Sequence, residues 1–236
     1  VGTSAEQVRP PEPTLVRLSE VPAPVVEDFY VRILQATFPP DELEPLESLQ
    51  ESLGETGDGL LALDADGGVV GGLVHEHYVD GAVQLLAYLA VDPAGRAHGL
   101  GSRLVREAVT TTTATLVLGE IEDPRSWPVT PTSDPPARLR FWDRNGSRLL
   151  PLPYVQPALR PVLRRVRDLL LIALPSRGDD TAETVPGPLV AAFLREYFAA
   201  SEGRADPADP DLARLLAACD VERLPLWSLD RLDVVG

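Results

Sequence analysis

The stretch Leu85-Leu-Ala-Tyr-Leu-Ala-Val-Asp-Pro-Ala-Gly-Arg-Ala-His-Gly-Leu-Gly-Ser-Arg-Leu-Val-Arg106 decides the fold. Its opening run is apolar enough for a buried strand, and Asp92-Pro93 stops that strand. Gly99 and Gly101 then open a helix on which Leu100, Leu104, Val105 and Ala108 recur at helical spacing. Glycines let a backbone approach a ligand closely and adopt positive φ. The N–H groups of such a turn point outward together, at the positive end of a helix dipole. That is a cradle suited to a diphosphate. The turn lacks the Gly-Lys-Ser/Thr ending of a nucleoside-triphosphate loop and the third glycine of a dinucleotide fingerprint.

Outward from this stretch, Leu60–Asp64, Val69–Val79 and Val83–Val91 read as three strands of an antiparallel meander. They are joined by turns at Ala65-Asp66-Gly67-Gly68 and Asp80-Gly81. The helix from Leu100 to Thr112 leads into a strand over Thr115–Ile121. Strand, helix and strand make a βαβ crossover, which requires the two strands to run parallel. Amphipathic helices over Val25–Thr37 and Asp41–Leu53 precede the meander. Asp123–Pro136 is a proline-rich loop, and Ala137–Asn145 is a short helix closed by Gly146. Arg148–Val155, broken by Pro151 and Pro153, suits an edge strand. Val166–Leu174 is the last strong strand, and helices over 188–201 and 209–218 follow. The expected class is α/β of the α+β kind: a mixed, mostly antiparallel central sheet flanked by helices. A loose arm (1–13) precedes a main domain (14–175), and a helical C-terminal extension (176–236) packs on that domain.

Arg96-Ala97-His98-Gly99-Leu100-Gly101 resembles the Arg/Gln-x-x-Gly-x-Gly/Ala signature of the GNAT superfamily, the acetyl-CoA-dependent N-acetyltransferases. The flanking strand, helix and strand, the helices upstream and the helix Ala137–Gly146 follow the family's order over residues 14 to 174. The resemblance implies the GNAT fold, acetyl-CoA as co-substrate and no metal. It implies that main-chain N–H groups of Arg96, Ala97, His98, Gly99, Leu100, Gly101 and Ser102 hold the CoA pyrophosphate. Val91 would hydrogen-bond the pantetheine and polarise the thioester carbonyl, with Phe141 and Trp142 beside the cofactor. The chain departs from the pattern at one place. Many members carry a tyrosine four residues before the glycine ending the post-crossover helix, as acid for the departing thiolate. Here that position is Trp142, and Tyr154, in a proline-stiffened segment, is the expected replacement, with Tyr88 a weaker one.

Acetyl transfer to an amine needs a base for the ammonium and stabilisation of the thiolate. The strand Thr115–Ile121 runs into Glu120-Ile121-Glu122, and a period of two places Glu120 and Glu122 on one face. Both are candidate bases or ligands for the acceptor ammonium; the bland alternative is a pair of solvated carboxylates at a strand end. His75-Glu76-His77-Tyr78 offers a second set of candidates, in which the two histidines share one face while Glu76 and Tyr78 share the other. Acceptor binding by the first helices and last strands points to Phe29, Tyr30, Glu42, His77 and Gln156. Phe29 and Phe38 also fit a core position.

The whole chain is acidic, with 36 Asp and Glu against 21 basic residues and a net charge of −15. A polyanion repels nucleic acid and anionic lipid and suits a cationic partner, although acidity also serves solubility alone. The basic residues are all Arg; with abundant Ala, this fits a GC-rich bacterial genome. The lone Cys219 leaves no internal disulfide. Neither a signal peptide nor an apolar run long enough to span a bilayer is legible, so a cytoplasmic protein is expected. The reading is an N-acetyltransferase acting on a small cationic amine or a peptide or protein amine, with a homodimer as a candidate assembly. The alternative is a catalytically silent acyl-CoA-binding module of the same fold.

Overall fold

Alternating apolar residues and tight turns assemble the meander first, and the rest of the chain closes over its two faces. The computed structural model of the chain describes residues 11–40, 42–93, 99–130, 133–160, 163–174 and 183–235. The main sheet has seven strands: β1 (Thr14–Arg17), β2 (Gly57–Leu63), β3 (Val69–Tyr78), β4 (Val83–Val91), β5 (Leu116–Glu122), β6 (Arg148–Leu149) and β7 (Leu169–Leu174). Their spatial order is β1-β2-β3-β4-β5-β7-β6. Every neighbouring pair is antiparallel except β4 and β5, which the crossover helix makes parallel. This is the mixed, mostly antiparallel sheet the sequence predicts.

Helix α1 (Ala23–Phe29) runs through a π-helical turn at Tyr30–Leu34 into α2 (Gln35–Thr37). The remaining helices are α3 (Leu46–Ser52), α4 (Leu100–Thr111), α5 (Pro135–Arg144), α6 (Gly187–Glu202) and α7 (Pro210–Ala218). A two-stranded ribbon, β8 (Thr184–Pro186) and β9 (Arg223–Pro225), joins the ends of the α6–α7 unit. No helix among the described residues is long and apolar enough to cross a membrane.

Strand parity sorts the core. On β5, Val117 and Ile121 pack with Leu104 and Val105 of α4 and with Trp142 of α5. Leu116 and Leu118, one residue out of phase, pack with Phe193, Leu194 and Phe198 of α6. Helix α1 and the π turn cover the opposite end of the sheet, burying Phe29, Ile33 and Leu34 against Leu61, Val74 and Tyr88. Helices α6 and α7 thus share one hydrophobic cluster with β4, β5 and β7. A second tie is polar: the Glu196 carboxylate of α6 accepts the Val79 N–H in the β3–β4 turn at 2.6 Å. A third is Arg165, which reaches Glu202 at 2.7 Å, Asp209 at 2.7 Å and Asp211 at 3.0 Å, with its guanidinium 5.1 Å from the Phe198 ring centre.

Several element boundaries differ from the expectation, each for a local reason. Only Arg148–Leu149 of the expected strand 148–155 pairs with β7. Pro151 and Pro153 have no N–H to offer a ladder, so the rest is an extended segment that regains one bridge at Gln156↔Val166. Helix α3 begins at Leu46, directly after Pro45, rather than at residue 41. Helix α5 starts two residues early because Asp134 caps it, accepting the Ala137 N–H at 2.9 Å.

Candidate active site

The central parallel pair is incomplete. β4 and β5 are in register only from Val83↔Leu116 to Leu86↔Gly119. Beyond that, β5 continues along β7 through Glu120↔Leu171 and Glu122↔Leu169, while β4 continues along β3 through Tyr88↔Val74 and Val91↔Gly71. The strands therefore part in the middle of the sheet. A bulge marks the parting: Val74 faces Tyr88 but His75 faces Leu86, so Ala87 is the extra residue. The bulge shifts side-chain parity along β4 and turns Tyr88 to the side that Leu85 occupies before it. A cavity of about 580 Å³ fills the gap and runs between both faces of the sheet.

One end of the cavity is built on the glycine turn. Gly99 sits at φ +76° and forms the N-cap of α4, with no side chain among the described residues capping the helix. The first N–H groups of a helix have no intrahelical acceptor and attract anions. Gly101 follows in the first turn, and a Cβ placed on it would lie 3.3 Å from Phe141 Cε2 and 3.9 Å from Val91 Cγ2. Gly101, Val91, Phe141 and Trp142 all line the cavity, so backbone, rather than a side chain, faces the space between β4 and α5. This is a cradle that a side chain would fill, and it fits the phosphate end and thin arm of a coenzyme A. Leu100 buries its side chain beside Leu104 and so offers only its main chain. Ser102 lies in the same first turn. Arg96, Ala97 and His98 lie outside the described residues.

The other end carries carboxylates. Glu120 lines the cavity at the point where β5 leaves β4. It accepts hydrogen bonds from the Tyr154 hydroxyl, from Gln156 Nε2 at 2.8 Å and from the Tyr197 hydroxyl at 3.3 Å. Burial pushes its carboxyl up to about 7, against the downward pull of those three donors. Glu76 of β3, bonded by the Tyr78 hydroxyl, is also raised by burial. Glu44, in the turn before α3, is raised to about 8 by burial and by the charge of Glu76. The Glu44 main chain is fixed: its carbonyl accepts the Tyr30 hydroxyl at 2.6 Å and its N–H donates to the Tyr88 hydroxyl at 3.0 Å. Arg160 donates to the carbonyls of Pro40 at 2.8 Å and Leu43 at 3.3 Å, tying this turn to the segment after Gln156.

The two carboxylates that strand alternation groups together have different partners. Glu122 is ion-paired with Arg138 of α5 at 2.8 Å and accepts the Ser133 hydroxyl at 2.7 Å, whereas Glu120 has no cationic partner among the described residues and is surrounded by hydroxyls and an amide. Glu42, Glu122, Gln156 and Trp142 line the cavity. Four placements differ from the expectation. Phe29 is fully buried in the core against Leu61 and Val74, because the π-turned helix presses it onto the sheet. Tyr30 is buried beside it and serves the cavity only through its bond to the Glu44 carbonyl. His77 points to the other face of β3, its ring 5.0 Å from that of His75, so period two gives the cavity Glu76 and Tyr78 instead. Tyr154 is buried behind Glu120 and does not line the cavity; its hydroxyl is committed to that carboxylate, so it positions Glu120 instead of meeting a thiolate.

Sequence reasoning did not select Glu44 or Tyr197 as site residues, and it held Glu76 and Tyr78 only within a second set of candidates. For Glu76 and Tyr78 the alternation of β3 holds the signal. For Glu44 there is none, because the turn that carries it is brought over the sheet by tertiary contacts. Tyr197 reads as an ordinary apolar position of α6, and it packs as one against Phe193 and Tyr78.

Comparison with known proteins accords with this geometry. Residues 26–118 match the family model described as Acetyltransferase (GNAT) family. A GNAT-family protein from Bacteroides thetaiotaomicron superposes with a TM-score of 0.53 at 19% identity, covering 71% of this chain and 90% of that one, and it shows the same fold. A GNAT-family protein from Desulfovibrio desulfuricans gives 0.49 at 22% identity, covering 68% and 97%. The phosphinothricin acetyltransferase of Sinorhizobium meliloti, solved with acetyl-CoA, gives 0.48 at 14%, covering 72% and 91%. No curated protein sequence matches the chain.

Proposed function

We propose that this chain, whose residues 26–118 match the GNAT acetyltransferase family model and whose fold matches that of a GNAT-family protein, transfers an acetyl group from acetyl-CoA to the nitrogen of a cationic amine. The observation that carries the reading is the position of Glu120. It stands where β4 and β5 part, held by Tyr154, Gln156 and Tyr197, with its carboxyl raised to about 7. A base whose pKa lies near neutrality takes a proton efficiently at physiological pH. The ammonium form of an amine cannot attack a carbonyl, so a carboxylate that first pairs with the ammonium and then accepts its proton performs both tasks. Tyr154 and Gln156 fix the orientation of that carboxylate.

Acetyl-CoA supplies the activated thioester. The α4 N-terminus at Gly99–Ser102 would hold its phosphates, and Val91, Gly101, Phe141 and Trp142 would bound its arm. Joining both reactants in one cavity supplies much of the acceleration. Trp142 is buried at the place where many relatives have a tyrosine, and Tyr88, the weaker replacement the sequence offers, lines the cavity from β4.

The test is release of free CoA thiol from acetyl-CoA with a panel of amines. Turnover with a cationic amine, lowered by about 100-fold or more in Glu120→Gln with CoA affinity retained, supports the proposal. CoA binding without turnover on any amine would replace it with the acyl-CoA-binding module.

A further inference from the structure

The acceptor end of the cavity holds more carboxyl groups than one ammonium can use, and a cation bound beside a raised carboxyl favours its ionised form. Glu44, Glu76 and Glu120 all line it, and Glu76 is close enough to raise the pKa of each of the other two. The one arginine lining the cavity among the described residues, Arg138, is engaged by Glu122. The three carboxylates do not converge on a point: no group of three such side chains among the described residues is spaced to hold a metal ion. Their charge is spread along the wall, from the β4–β5 parting to the turn before α3.

A second, independent feature is an amide. Gln156 is 8% exposed and lines the cavity. Its Nε2 is oriented by donation to Glu120 Oε2 at 2.8 Å, which leaves Oε1 as an acceptor that is buried and has no partner among the described residues. Glu44 Oε1 is likewise buried and without a partner there. A buried acceptor left unpaired is costly, and a ligand N–H removes that cost. Two acceptor centres at separate places on a wall of carboxyl groups suit two donor cations on one molecule, whose charges would hold those carboxyls ionised.

We propose that the acceptor is a diamine or longer polyamine, whose reacting nitrogen sits between Glu120 and Gln156 Oε1 while a second ammonium is held by Glu44 and Glu76. This rests on the transferase reading and extends it. The aliphatic spacer lies against Phe38, Tyr78 and Tyr88, which line the wall between the two ends. The second ammonium contributes binding and register, and its carboxylates are positioning residues, since the proton lost in transfer leaves from the first nitrogen. The bound ammonium gives one proton to Glu120; acetylation then joins the thioester carbonyl carbon to that nitrogen, breaks the carbon–sulfur bond and passes the nitrogen's second proton to the departing CoA thiolate.

Two measurements test it, with 1,4-diaminobutane and n-butylamine as probes. In steady-state assays with acetyl-CoA, the expected result is a kcat/KM for the diamine roughly thirtyfold or more above that for the monoamine, in line with the loss of one partner from a desolvated charge pair. Glu44→Gln collapses that ratio towards one; Glu76→Gln does the same and serves if the first variant fails to fold. Equal kcat/KM for the two amines would overturn the diamine proposal while leaving the transferase reading intact. Calorimetric titration of the same amines into CoA-saturated protein separates the remaining case. If neither amine turns over but the diamine binds tenfold or more tighter, and Glu44→Gln removes the difference, the two-cation subsite stands and the transferase reading falls. If neither amine turns over and neither is preferred in binding, both are refuted.

Discussion

Replacing Glu120 by Gln should make the protein more stable and less active, and the pH dependence of the gain is fixed by the structure. Burial carries the folded carboxyl from an ordinary 4.5 to about 7. Between those values the unfolded chain gives up a proton that the folded chain keeps. Stability therefore falls as pH rises through that window and levels off above it. Each pH unit of separation is worth about 1.4 kcal/mol, so ionised Glu120 costs the fold about 3 kcal/mol at pH 8 and almost nothing at pH 4. The amide introduced by the substitution cannot ionise. Its carbonyl can still accept the Tyr154 hydroxyl, and Gln156 can turn its unpartnered Oε1 towards the new amide, so the network stays satisfied. The stability advantage of Glu120→Gln should therefore be about 3 kcal/mol larger at pH 8 than at pH 4, an increase in Tm difference of roughly 6–12 °C. Urea unfolding of both proteins at the two pH values measures it. Parallel stability–pH curves for the two proteins would show that Glu120 ionises as an ordinary surface carboxylate, and the proposed base would lose its physical basis.

Other outcomes follow from neighbouring contacts. Tyr154→Phe removes a donor that holds the Glu120 carboxyl down, so the acid limb of the kcat–pH profile should move to higher pH; an unmoved limb would detach Tyr154 from the base. Gly101→Val places branched atoms into the 3.3 Å gap to Phe141, and calorimetry should show CoA binding weakened by about tenfold or more with the fold retained by circular dichroism. Arg165→Leu leaves Glu202 and Asp209 without their arginine, while Asp211 keeps Arg167 at 2.8 Å and Arg214 at 3.0 Å, and should cost about 2 kcal/mol or more at pH 7, read by urea unfolding. Asp209 is held at about 2 by Arg165; its contribution is present above 3.8 and lost as pH falls towards 2, so this variant should show a flatter stability curve over that acid range.

Much of the frame was legible from local pattern. Val83–Val91, the α4 segment and the β5 segment each carry a single clear period over seven or more residues, and the structure returns them within a residue or two. The features that escaped are those decided by distant partners. β1 is four residues long and becomes a strand by pairing with β2. The β8–β9 ribbon pairs segments across two helices. The Ala87 bulge, which turns Tyr88 towards the cavity, leaves no mark on an apolar run. In the site, Glu120 stood out because an ionisable residue interrupts an apolar strand, whereas Phe29 and Tyr30 were ambiguous because a helix face reads alike against a core or a ligand. Glu44 is legible only once Tyr30, Tyr88 and Arg160 have fixed the turn around it.

Tyr197 reaches Glu120 from α6, across 77 residues of chain. The segment that follows β7 is thus part of the chamber in which chemistry is proposed, while the glycine turn at Gly99–Gly101 lies at the far end of the same chamber. Substitutions along α6 can reshape what the chamber admits without disturbing the nucleotide-facing end. Trimming the chain after β7 would open a wall, strip the apolar cover from one side of the sheet and expose Leu116 and Leu118, which Phe193 and Phe198 now shield, to water. One wall of the chamber and the apolar cover of the sheet are, in this architecture, supplied by the same helix.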